Sequence, residues 1–110
     1  MSALNTQSPQ DREHFTSSRP LVTLELKVMN HPGVMLHIVG LFARRAFNLE
    51  GIACMPSRDG IHSRIWLRVH DDEKLSQIQL QLAKLVDVME VDLHPPGHEA
   101  FRRMEAFFLA

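Results

Sequence analysis

Leu21-Val22-Thr23-Leu24-Glu25-Leu26-Lys27-Val28-Met29-Asn30-His31-Pro32-Gly33-Val34-Met35 changes periodicity midway, and the change decides the fold. Val22, Leu24, Leu26 and Val28 alternate with Thr23, Glu25 and Lys27, the period of two by which a strand buries one face and leaves the other polar. Asn30-His31-Pro32-Gly33 ends that strand. Pro32 has no N–H to give a ladder and pushes His31 toward extended geometry, so the chain turns. From Val34 to Ala46 the apolar set Val34, Ile38, Leu41 and Phe42 recurs at helical spacing, with Arg44 and Arg45 near the negative end of the helix.

Working outward, Phe47-Asn48 closes this helix and Leu49 to Pro56 reads as a second strand, weakened by Gly51 and with Pro56 at its margin. Arg58-Asp59-Gly60 is a turn signal. After it Ile61, Ser63, Ile65, Leu67 and Val69 alternate with His62, Arg64, Trp66, Arg68 and His70, which makes strands two and three a hairpin. Asp71-Asp72-Glu73 offers an N-cap and first-turn acids to a second helix carrying Leu75, Ile78, Leu82 and Leu85. Val86 to Leu93 is the last strand, stopped by Pro95-Pro96-Gly97.

The order β-α-β-β-α-β predicts an α+β, ferredoxin-like domain over residues 21–94: a four-stranded antiparallel sheet with two helices on one face. The second face is left open. Trp66, Met29 and Met55 are expected on it, and a second copy or another subunit is the expected cover. Residues 1–20 read as a flexible extension. In the tail, residues 95–110, Phe101, Met104, Phe107 and Phe108 would form one apolar helical stripe that needs a surface to lie against, on its own domain or on a partner.

Composition limits the function classes. A chain of 110 residues makes one domain with a modest buried fraction, so association is expected. Twelve basic and thirteen acidic residues leave a formal charge of -1, without the electrostatic footprint of a nucleic-acid binder. The single cysteine, Cys54, fits a reducing cytoplasm. The first twenty residues lack the apolar core of a signal peptide, and no run approaches the roughly 18 apolar residues of a membrane span.

The loop from Asn30 to Met35 holds the chemistry. The first N–H groups of a helix have no partner within it and sit at the positive end of its dipole. Gly33, Val34 and Met35 therefore suit a carboxylate, and Gly33 allows close approach of a ligand to the backbone. The side-chain carbonyl of Asn30 suits an ammonium group, so the pair matches an α-amino acid better than a phosphate, which calls for several glycines and a lysine. The plainer reading of the same residues is a capped turn with a turn glycine.

The run Asn30-His31-Pro32-Gly33-Val34-Met35, followed by Val39-Gly40-Leu41-Phe42-Ala43-Arg44-Arg45-Ala46-Phe47-Asn48-Leu49-Glu50-Gly51-Ile52, resembles the ACT domain of acetolactate (acetohydroxyacid) synthase small subunits, the short isozyme I type above all. The similarity continues through Ile65-Trp66-Leu67, Asp71-Asp72 and the Phe107-Phe108 ending. It implies a non-catalytic, homodimeric subunit that binds valine, activates a large catalytic subunit and confers feedback inhibition on branched-chain amino acid synthesis. Thiamine diphosphate, Mg2+ and FAD are expected in that large subunit and no cofactor in this chain. By position, the resemblance makes Asn30, His31, Gly33, Val34 and Met35 the effector loop, and Asn48, Ala53 and Cys54 the facing wall supplied by the neighbouring protomer. A stand-alone amino-acid-binding module that regulates a different enzyme or a transcription factor is the alternative. Longer small subunits continue into a second domain that this sequence lacks, and its N-terminal extension is longer than the short type needs.

Other features carry less. The seven histidines show no zinc-ligand spacing, although His31 suits pH tuning of effector binding. Cys54 lacks a base nearby in sequence, so a core or pocket-wall role outweighs a nucleophilic one. Arg44 and Arg45 are either a solvated helix end or a docking pair for a catalytic subunit. An acylphosphatase-like enzyme needs an arginine in the first loop, and an RNA-recognition fold needs an aromatic third strand; neither is present.

Overall fold

In the computed structural model, which describes residues 19–109, the alternating stretch is strand β1 (Leu21–Met29), and the helical spacing after Gly33 is α1 (Val34–Arg44). Then follow β2 (Gly51–Pro56), β3 (His62–His70), α2 (Leu75–Ala83) and β4 (Val88–His94). The sheet order is β2-β3-β1-β4, with every neighbouring pair antiparallel. This is the ferredoxin-like arrangement that the periodicity predicts.

One face of the sheet makes the core. Leu24, Leu26, Ile65 and Leu67 meet Ile38 and Phe42 of α1 and Ile78 and Leu82 of α2, all essentially inaccessible to solvent. The apolar stripes of both helices have one place to go, which fixes them on the same side.

Several boundaries differ from the sequence reading: α2 ends at Ala83, before Leu85, β3 begins at His62, after Ile61, and three others have a clear local reason. Helix α1 stops at Arg44 rather than Ala46 because Ala46 adopts a left-handed φ of 53°. The Phe47 N–H then bonds back to the Phe42 carbonyl at 2.9 Å, and the Phe47 ring turns into the core edge-to-face with Phe42. Strand β2 begins at Gly51, although Glu50 already donates its N–H to the Arg68 carbonyl. After α2, Leu85, Val86 and Asp87 form a turn closed by the Val88 N–H on the Leu85 carbonyl, so Val86 is 86% exposed and lies outside the last strand.

The second sheet face is not left as open as the sequence suggests. Glu25 lies between Arg64 (3.1 Å) and His94 (2.7 Å), which makes the middle of that face ionic. At the Arg68 end the chain covers it with its own tail, a 3-10 turn (Glu99–Phe101) leading into α3 (Arg102–Phe108). Phe101 is buried, His98 stacks on Trp66 and His94, and Arg68 pairs with Glu105 at 2.6 Å. Thr23, on the polar side of β1, is consequently only 4% exposed. Of the tail's aromatic stripe, Phe107 and Phe108 stay in solvent and pack edge-to-face on each other.

Candidate ligand-binding loop

The β1–α1 loop is held from two sides. The Asn30 N–H donates to the Ile61 carbonyl at 2.8 Å and its side-chain Nδ2 to the Gly60 carbonyl at 3.2 Å, tying the loop to the β2–β3 hairpin. With Nδ2 so engaged, the amide is oriented, and Oδ1 receives no hydrogen bond among the described residues. It remains an acceptor for a ligand.

Gly33 is the N-cap of α1 and has a φ of +92°, a conformation L side chains rarely adopt. Its carbonyl accepts the His37 N–H at 3.1 Å. A Cβ at Gly33 would meet nothing within 4 Å, so the backbone faces open space. No side chain caps the helix and no acid stands in its first turn. Among the described residues, nothing in the protein accepts the N–H groups of Gly33, Val34 or Met35. Donors without an acceptor at the positive end of an 11-residue helix are of the kind that suits an anion.

The second tether was not legible in the sequence. The His31 ring reaches the Asp87 carboxylate from Nε2 at 2.7 Å and the Pro32 carbonyl oxygen from Nδ1 at 2.9 Å. Donation to both acceptors requires both ring nitrogens to carry protons. The hydrogen bond to Asp87 above all, then that to Pro32, raises the His31 pKa above its ordinary 6.5. Asp87 lies 56 positions away, and only the turn between α2 and β4 brings it here.

Asn48, Ala53 and Cys54 do not join the loop within one chain. Strand pairing sets Met29 opposite His62 and Gly51 opposite Arg68, so Asn48, just before β2, lies at the other end of the sheet. There its Nδ2 donates to Glu50 at 2.7 Å. Ala53 and Cys54 sit midway along β2, opposite Trp66 and Ile65, on a strand whose outer edge is unpaired. Cys54 is exposed at that edge, and desolvation raises its pKa, which keeps the thiol protonated and poorly nucleophilic near neutrality. No helix among the described residues is long and apolar enough to cross a membrane.

Residues 24–90 match the family model of AHAS small subunit-like ACT domains. The chain is 52% identical over 87 residues to the acetolactate synthase isozyme 1 small subunit of Escherichia coli K12, covering 79% of this chain and 91% of that one. To the acetolactate synthase small subunit of Haemophilus influenzae it is 42% identical over 69 residues, 62% of this chain but only 42% of the longer relative. Among solved structures, an acetolactate synthase small subunit from Thermotoga maritima superposes with a TM-score of 0.63 at 38% identity, over 72% of this chain and 50% of that one. The ACT domain of a GTP pyrophosphokinase from Chlorobium tepidum shares the fold, with a TM-score of 0.57 at 18% identity.

Proposed function

Because the chain belongs to the family of AHAS small subunit-like ACT domains, we propose that it is the regulatory small subunit of an acetolactate synthase and binds valine at the β1–α1 loop. The observation that carries this reading is the set of unclaimed amides at Gly33, Val34 and Met35 beside the free Oδ1 of Asn30. An α-amino acid offers one carboxylate for the amides and one ammonium group for the carbonyl oxygen.

The wall for the valine side chain comes from a second copy. The outer edge of β2 is unpaired, and two such edges joined antiparallel about a two-fold axis exchange ends. That operation carries Asn48, Ala53 and Cys54 of one protomer toward the loop of the other. Full burial of a valine-sized side chain contributes about 1.5 to 3 kcal/mol, enough to favour it over alanine but not sharply over leucine or isoleucine. Effector bound across the dimer stabilises one arrangement of the protomers and the catalytic subunit favours another, so feedback inhibition follows by linkage. Thiamine diphosphate, Mg2+ and FAD belong to the catalytic subunit, which this chain activates without taking part in the chemistry.

Titration calorimetry with valine, alongside sedimentation of the free protein, tests the proposal. A dimer that binds valine with measurable heat and a raised melting temperature is expected. No heat and no thermal shift at millimolar valine would refute the effector assignment, and a monomer would refute the shared wall.

A further inference from the structure

A groove of about 570 Å³ runs between α1 and the turn that joins α2 to β4, away from the β2 edge. Its volume falls in the range of about 300 to 1,000 Å³ that small ligands and anchoring side chains fill. Leu36 on one wall and Val86 on the other are 73% and 86% exposed, an unusual pair of large apolar groups facing one cleft. Val86 occupies a tight turn, where polar turn-formers are the usual choice.

Gly40 and Arg44 complete the α1 wall. Arg44 folds back along the helix until its Nη1 comes within 3.2 Å of where a Gly40 side chain would begin. Glycine therefore leaves room for the guanidinium at the groove, and no carboxylate pairs with it among the described residues. Asp87, the acid on the opposite wall, is already engaged by His31. The groove thus offers an apolar floor and an unmatched positive charge.

We propose that this groove receives a short segment of the catalytic subunit, which inserts apolar side chains between Leu36 and Val86 and sets a carboxylate against Arg44. The proposal rests on the reading of the chain as a regulatory subunit. In the proposed dimer a second copy takes the β2 edge, across the sheet from β4 and the groove. The chain's own tail is packed on the opposite sheet face, with Phe101 against Gly51. The groove also shares residues with the effector loop. Val34 lines it, and Asp87, which lines it too, holds His31. Occupant and effector consequently act on one loop, and linkage requires each to change the affinity of the other by the same factor.

Leu36→Asp, Val86→Asp and Arg44→Glu in the full chain test this against the purified catalytic subunit of the same organism. Each should weaken association at least about tenfold, with Arg44→Lys restoring most of it, while valine affinity and self-association of the free protein stay within about twofold. Unchanged binding to the catalytic subunit in all three variants would overturn the groove assignment. So would loss of self-association with catalytic-subunit binding intact, which would make a second copy the occupant. Failure of the wild-type chain to bind the catalytic subunit would instead refute the regulatory-subunit reading, and the groove assignment with it.

Discussion

Replacing Gly33 by aspartate should weaken the response to valine while leaving the fold in place. At a φ of +92° an L side chain costs about 1 to 2 kcal/mol, and aspartate tolerates this region better than most residues. Nothing lies within 4 Å of the new Cβ, so strain is the whole structural cost. For a domain of this size each 1 kcal/mol lowers Tm by roughly 4 to 8 °C. The effect on binding is larger and separable. A carboxylate about 4 Å from a bound one repels it by about 1 kcal/mol where water screens fully and about 4 kcal/mol at an effective dielectric of 20. Valine affinity should therefore fall by about fivefold at least and by several hundredfold at most. Gly33→Ala carries comparable strain without the charge and is the control. Calorimetry of both variants in one buffer, with melting curves, gives the answer: if the aspartate variant binds valine as tightly as the alanine variant, the anion site is not at this helix end.

Two further expectations rest on contacts outside the loop's own sequence. The raised His31 pKa means that its contribution to loop stability is complete below 6.5 and is lost as pH rises through the higher folded value, so the tether to Asp87 loosens on the alkaline side. Solvent exposure keeps the effect small, so it is best read by NMR titration of the His31 ring; the midpoint should lie above 6.5 and fall in Asp87→Asn, and equal midpoints would refute the pairing. In Gly51→Val the new Cβ would stand 3.1 Å from Phe101 Cε1 and 3.3 Å from Arg68 Cβ, tight enough to lift the tail. Amide exchange in residues 99–108 should then accelerate while β1 and β3 stay protected, and unchanged exchange in the tail would show that Phe101 does not hold it there.

What the sequence determined by itself is whatever depends on near neighbours along the chain. The alternation from Val22 to Val28 names the buried face of β1, and the spacing of Val34, Ile38, Leu41 and Phe42 names that of α1. The Pro32-Gly33 turn between them leaves the helix start open. These follow from backbone hydrogen bonding with periods of two and 3.6 residues, which a short window records. Tertiary structure alone decided that His31 meets Asp87, that the tail buries Thr23 with Phe101, and that Asn48 sits at the far end of the sheet from Asn30. Each of these depends on strand register and on where a turn ends, and residues many positions apart become partners only after the helices and sheet have closed on one core.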